Sequence, residues 1–250
     1  MLASQRHKII LNMLSIEPDI RTSVFANRLQ VTDETIRRDL EFLDSEKKLI
    51  RTHGGAMRIE KHAHEVPLSK RLLLNGSEKS QIAQKALSII KDGEVLLMDA
   101  SSTSLALARI LPDINLTVIT NGYDLVAELM SKTNITTIMT GGKLDPVSRS
   151  FWGLIAWQTV KRFAVDKFFF SCNGLDFKRG ASEAAELHSE FKENAKDFCS
   201  QNILLCDSTK LGICSTSFFA PIDSINTIIT DNNVSAEILK KLKSTRIEIL

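Results

Sequence analysis

Five short polar stretches, each at the end of an apolar run, contain the residues best suited to hold a small anion. DASSTS (Asp99 to Ser104) brings four hydroxyls, from Ser101, Ser102, Thr103 and Ser104, to the start of a helical pattern. Backbone N–H groups at a helix N-terminus lack helical acceptors and sit at the positive end of the dipole, so hydroxyls placed there suit a phosphate. TNG (Thr120 to Gly122), TGGK (Thr140 to Lys143), NGL (Asn173 to Leu175) and DSTKLG (Asp207 to Gly212) are the other four, and Lys210 supplies a positive charge. Each loop alone has a plain alternative, because such connections favour Gly, Ser and Asn for turn geometry. Five together, without a Walker or GxGxxG signature, point to a polar phosphorylated ligand rather than a nucleotide. The expected contacts are Asp99, Ser101, Ser102, Thr103, Ser104, Thr120, Asn121, Gly141, Gly142 and Lys210.

A second constellation lies in TDETIRRDLEFLDSEKKLIRTHGG, from Thr32 to Gly55. Arg37 and Arg38 stand on the first turns of a helix that follows the tight turn Gln30–Val31–Thr32. Arginine can bond guanine bidentately or pair with a phosphate. The ordinary account of an Arg-Arg pair is a solvated helix face, but the helix after such a turn is the one that enters the major groove of DNA. Thr32, its N-cap, and Thr35 occupy the same end. His53 and the backbone of Gly54 and Gly55 would reach DNA from the turn between two short strands, the glycines permitting a sharp bend. Thr22, Asp33 and Arg51 complete the expected DNA-contacting set.

These residues need elements to position them. In residues 1–58, Ile9, Ile10, Met13 and Leu14 recur at helical steps, and Phe25, Ala26 and Leu29 line a second short helix with Thr22 as its N-cap. Ile36, Leu40 and Leu43 form an apolar stripe on the third helix, opposite Glu34, Arg37, Arg38 and Glu41. LIRTHGGAMRI then reads as a hairpin, making a winged helix-turn-helix. Residues 59–77 read as a linker that becomes helical toward Lys70–Leu74; His62 and His64 within it have no partner cluster and are not expected to bind metal. From residue 78 to 250 the apolar runs VLLMDA, LTVIT, ITTIMTGG, KFFFSC, NILLCD, NTIIT and RIEIL recur, most separated by amphipathic helical stretches. Runs without polar alternation indicate strands buried on both faces, hence an α/β fold with a mostly parallel sheet covered by helices. In such sheets ligands bind beyond the carboxyl ends of the strands, where the five polar loops fall.

The whole-chain properties fit two ordinary domains. The 250 residues are 43% hydrophobic and 25% charged, with net charge +2. Residues 1–61 hold 11 Lys/Arg and 9 Asp/Glu, so placement rather than bulk charge must announce nucleic acid. No apolar run reaches the roughly 18 residues of a membrane span. Cys172, Cys199, Cys206 and Cys214 lack CxxC spacing and read as buried thiols of a cytoplasmic protein, with no cofactor or metal expected.

TIRRDL (Thr35–Leu40) and RTHGGA (Arg51–Ala56) resemble the head of the DeoR family of bacterial transcriptional repressors. The resemblance continues through EKSQIAQKA, DGEVLLMDASST, VITNGYDL, TGGKLD, SFWG, DKFFFSCNGLD, CDSTKLG and IITD, covering essentially the whole chain in order. It implies a winged helix-turn-helix head and a Rossmann-like domain similar to ribose-5-phosphate isomerase that senses a phosphorylated sugar without catalysis. It also implies a homo-oligomer, dimer or tetramer, and an effector role for Lys192 in ELHSEFKENAK. Ser101, Ser171–Cys172 and Glu193 depart from the family's usual residues near the expected pocket. The expected function is therefore repression of a carbohydrate operon on double-stranded operator DNA, relieved by a sugar phosphate. Activation remains an alternative. So does a sugar-phosphate isomerase, which would need a base such as Asp99, Asp166 or Asp207.

Overall fold

The computed structural model describes residues 2–17, 19–46, 48–52, 54–58, 66–245 and 247–250. The chain divides into two compact units, Met1–Lys61 and His62–Leu250. His53, His62 and His64 lie outside the described residues.

The smaller unit contains α1 (Ala3–Ile16), β1 (Asp19–Arg21), α2 (Thr22–Leu29), α3 (Asp33–Ser45), β2 (Leu49–Thr52) and β3 (Gly55–Arg58). Gln30 ends α2 in left-handed backbone, φ 52°, which tightens the turn into α3. There the Thr32 hydroxyl accepts from the Thr35 N–H at 3.3 Å, capping α3 as the sequence predicts. Ile10, Leu14, Phe25, Ala26, Leu29, Ile36, Leu40 and Leu43 bury together, while Ile9 stays exposed. Two expectations change. Thr22 does not cap α2 but begins it, its N–H donating to the Gly54 carbonyl at 2.8 Å. The wing has three antiparallel strands, β1-β3-β2, because Asp19–Arg21 pairs with Gly55–Met57.

The larger unit begins with α4 (Leu68–Arg71) and α5 (Gly76–Leu87). Residues 66–77, expected as the rest of a linker, therefore belong to this unit, with Leu68 buried in it. Then follow β4 (Val95–Met98), α6 (Ser102–Ile110), β5 (Leu116–Thr120), α7 (Tyr123–Leu129), β6 (Ile135–Met139) and the hairpin β7 (Lys143–Asp145) and β8 (Ser150–Trp152). After α8 (Leu154–Val160) come β9 (Val165–Ser171), β10 (Gly174–Asp176), β11 (Gly180–Glu183), α9 (Glu186–Lys196) and β12 (Cys199–Leu205). The chain closes with β13 (Ser217–Ala220), β14 (Thr227–Ile229), α10 (Ala236–Lys243) and β15 (Glu248–Ile249). β10, β11 and β13 form a separate antiparallel sheet.

The central sheet has the order β15-β14-β12-β9-β4-β5-β6, and every neighbouring pair is parallel. All seven apolar runs contribute a strand to it, as their burial on both faces requires. β9 shows this most plainly. Phe168 and Phe170 pack into the layer that contains Leu97 and Leu204, and Phe169 packs into the opposite layer with Met98 and Leu205. The chain builds outward from β4 to β6, then returns to lay β9 against the other side of β4. The β4/β9 boundary is thus the topological switch point, where such folds open a crevice.

Candidate functional site

Two sites follow, one in each unit. In the smaller unit, α3 carries Arg37 and Arg38 on its outer face, with side chains 60% and 78% exposed. Glu34, one turn earlier, pairs with both, at 3.9 Å and 3.4 Å. Thr32 and Asp33 are exposed at the start of the helix, and Thr35 is half-buried. Arg51 on β2 is exposed, 3.7 Å from Glu41. Gly54 is open, but Gly55 is buried against β1, where a Cβ would come 2.1 Å from the Ile20 carbonyl oxygen. Its missing side chain is what lets β3 pack this closely on β1. Thr22 is likewise tied to the wing turn through its N–H.

Sequence reading overlooked what holds α3 in place. Asp39, on the inner side of the helix, is buried and accepts from Arg6 Nε and from Arg6 Nη2 at 2.9 Å, both from α1. His7 Nε2 lies 2.9 Å from the same carboxylate, and its ring stacks on Phe42. Burial opposes the Asp39 charge, but the bonds from Arg6 and His7 outweigh it and hold the carboxyl below its usual range. The charge itself is the missed signal, since Asp39 falls in phase with Ile36 and Leu43 on the buried side.

In the larger unit, a narrow cleft, partly open to solvent, lies beyond the carboxyl ends of β4 and β9. Asp99, Ser101, Ser102, Lys192 and Lys210 line it, as expected. Ser101 caps α6, its hydroxyl accepting from the Ser104 N–H at 3.0 Å, so the first turn of that helix faces the cleft. Asp99 is buried and its oxygens are fully engaged. They accept from the Ser104 hydroxyl at 2.6 Å, the Ser101 N–H at 3.3 Å and the Ser171 N–H at 3.0 Å, with Lys192 Nζ at 2.9 Å. Burial works against its charge, yet Lys192 and these hydrogen bonds hold its carboxyl below the usual range.

Lys192 also donates to Glu183 and to the Ser171 carbonyl, and the two carboxylates raise its pKa despite burial. Lys210 sits 3.4 Å from both Asp207 and the Ser171 hydroxyl. Burial opposes its charge as well, but Asp207 raises its pKa above the usual lysine value.

Other expected contacts are elsewhere. Thr103 and Ser104 are buried beneath the helix start, outside the cleft lining. Thr120 accepts from the Gly122 N–H at 3.0 Å, and Asn121 joins the Ala100 N–H at 3.1 Å to the Phe151 carbonyl at 3.2 Å. Gly142, φ 113°, lets the chain pass the Trp152 carbonyl, where a Cβ would come within 2.5 Å. Gly141 and Gly142 thus shape the turn behind Trp152, and none of these four residues lines the cleft.

Instead Arg71, Trp152, Glu183 and His188 do, with His188 stacked on Trp152 at 4.0 Å. Arg71, Trp152 and the Glu183–His188 stretch come from segments far apart in sequence, so no local spacing marks the set. Ser171 and Cys172 also line the cleft. Cys172 and Cys206 are buried free thiols 3.8 Å apart just past the ends of the adjoining strands β9 and β12, whereas Cys214, expected to be buried, is exposed.

The three carboxylates named as candidate bases are all engaged otherwise. Asp166 accepts from the Val95 N–H at the opposite end of the sheet, and Asp99 and Asp207 are committed to lysine partners. Among the described residues no group of three or more His, Cys, Asp or Glu side chains is placed to hold a metal, and no helix is long and apolar enough to cross a membrane.

Comparison with known proteins finds one family domain over each part of the chain. Residues 6–62 match the DeoR-like helix-turn-helix domain, which implies DNA binding, and residues 74–232 match the DeoR C terminal sensor domain, which implies a small-molecule effector. The chain is 38% identical over 249 residues to the uncharacterized HTH-type transcriptional regulator YulB of Bacillus subtilis (strain 168), covering 100% of this chain and 96% of that protein. It is 32% identical to an L-fucose operon activator of Haemophilus influenzae, with 94% of each chain covered. It is also 32% identical to the HTH-type transcriptional repressor GlcR of Bacillus subtilis, covering 100% of this chain and 96% of that one. With a winged helix-turn-helix head, a parallel α/β sensor unit and relatives that are regulators rather than enzymes, the chain belongs to the DeoR family of transcriptional regulators.

Proposed function

We propose that the protein represses a carbohydrate-utilisation operon by binding double-stranded operator DNA through α3 and the wing, and that a phosphorylated sugar or sugar derivative releases it. The observation that carries the effector reading is the cleft at the β4/β9 switch point. There the start of α6 at Ser101 and Ser102 and the cations Arg71 and Lys210 converge, the equipment an anion requires. Glu183, His188 and Trp152 on the same cleft offer hydrogen-bonding and stacking groups for the rest of the ligand. Arg37, Arg38, Thr32, Asp33 and Thr35 are the contacts proposed for DNA, with Arg51 and the wing turn beside them.

One chain presents one recognition helix, so we take the working form to be at least a dimer on paired half-sites, acting in the cytoplasm where such DNA lies. Activation is the second reading, supported by the relative that is an L-fucose operon activator. A thermal-shift screen against phosphorylated sugars tests the effector claim. One ester should raise the melting temperature of the larger unit where its parent sugar does not, and a uniformly flat screen removes the claim.

A further inference from the structure

Residues 66–75 form a strap across one side of the cleft. Leu68 pins one end, its side chain buried and its N–H donating to the Val147 carbonyl at 3.2 Å. Asn75 pins the other in left-handed backbone, φ 51°. Its amide nitrogen donates to Asp207 at 3.2 Å and to the Thr209 hydroxyl at 3.3 Å, within the loop that carries Lys210. Buried Lys79 of α5 donates to the carbonyls of Arg71 and Leu74, which lie between the pins, and Arg71 lines the cleft. The charges of Lys210 and Arg71 both oppose that of Lys79, and Asp207 offsets them in part. Burial first, then the charge of Lys210, with Arg71 adding to it, lowers the Lys79 pKa to about 8. An anion placed among such charges relieves their repulsion. In sequence, residues 59–65 lie between residue 66 and the described part of the DNA-binding unit.

We propose that Arg71 is a direct ligand of the effector's anionic group, and that its grip on the anion fixes the 66–75 strap against the Lys210 loop. Occupancy of the cleft is then reported to the segment that enters the DNA-binding unit. This rests on the reading of the cleft as the effector site. Arginine suits the task because its planar fork can take two oxygens of a phosphate or carboxylate at once. Leu68, Asn75 and Lys79 tie the strap down; with ligand, an Arg71–anion–Lys210 bridge is added. The added bridge exists only in the loaded state, which is the differential interaction any conformational shift requires.

The test uses the full chain with inorganic phosphate as probe, read by hydrogen exchange and thermal shift. Phosphate should slow exchange in residues 66–75 by about tenfold, the effect expected of one new charge-assisted contact. Arg71→Ala, compared with its own phosphate-free melting temperature, should lose that protection and need roughly ten- to a hundredfold more phosphate. Arg71→Lys, with charge but no fork, should fall between, and it carries the comparison if the alanine variant melts early. Protection confined to Ser101–Ser104, or equal phosphate stabilisation of wild type and Arg71→Ala, overturns the role of Arg71 and leaves the cleft reading intact. Absence of any phosphate effect at both segments overturns the two together.

Discussion

Replacing Asp39 by alanine should disable the DNA-binding unit without touching its DNA-facing surface. The carboxylate is 5% exposed and takes two hydrogen bonds from Arg6, itself 9% exposed. Removing one partner of such a pair strands the other charge, a loss of about 3–5 kcal/mol, and the long Arg6 side chain can shift toward water, which favours the lower figure. A unit of this size has only about 3–5 kcal/mol of stability to lose. Its core rests on eleven buried apolar residues among those described, from Ile10 to Ala56. A loss of about 3 kcal/mol shifts the folding equilibrium by roughly 150-fold, enough to leave much of the unit unfolded.

Calorimetry of the full chain should show the smaller unit's transition lowered or absent while that of the larger unit is unchanged. Binding to a DNA fragment followed by anisotropy should fall in parallel. The double variant Arg6→Met/Asp39→Leu, which removes both charges and keeps apolar volume, should recover most of the melting temperature. An Asp39→Ala protein that melts and binds DNA as wild type does would refute the reasoning. The same carboxyl sets a pH limit. Its folded pKa is depressed, so its contribution is complete above the unfolded value of about 4 and is lost as pH falls through the folded one.

Other outcomes follow from the two sites. Arg37→Ala and Arg38→Ala should leave thermal stability nearly unchanged, since both side chains are solvated, and cost roughly 1–3 kcal/mol at a base each reads. If either contacts phosphate instead, binding to all sequences weakens alike and the salt slope drops by about one, as a salt titration will show. Lys210→Ala and Ser102→Ala should keep DNA affinity but raise the effector concentration needed for release about ten- to a hundredfold. The larger unit should lose stability on acidification below about pH 4, because Asp99 is held ionised by Lys192 and must be protonated; a pH series of melting curves should show it, and Asp99→Asn should flatten that limb.

The sheet was legible because its strands are buried on both faces. A run such as Lys167–Cys172 has no polar alternation to mislead, and the switch-point rule then locates the cleft. The capping of α3 was legible too, since Thr32 acts within four residues. What escaped depends on contacts between distant segments. Arg71 reaches the cleft only because Leu68 and Asn75 pin its strap, and His188 meets Trp152 across 36 positions of sequence. Thr120, Asn121, Gly141 and Gly142 carry the same residue types as a ligand loop, but their hydrogen-bonding groups and backbone freedom serve the turns instead. The wing's third strand was hidden by its length, three residues after a proline, too short to show a period.

The central claim, that a phosphate ester in the cleft controls the grip on DNA, meets its most direct test in one titration. The full-length protein is bound to a labelled DNA fragment selected for affinity, and phosphorylated sugars and their unphosphorylated parents are added in turn while anisotropy is followed. The account predicts that one phosphate ester releases the DNA at concentrations where its parent sugar does nothing, and that Lys210→Ala shifts that release upward. Equal release by ester and parent, or DNA binding indifferent to every ester, would contradict it.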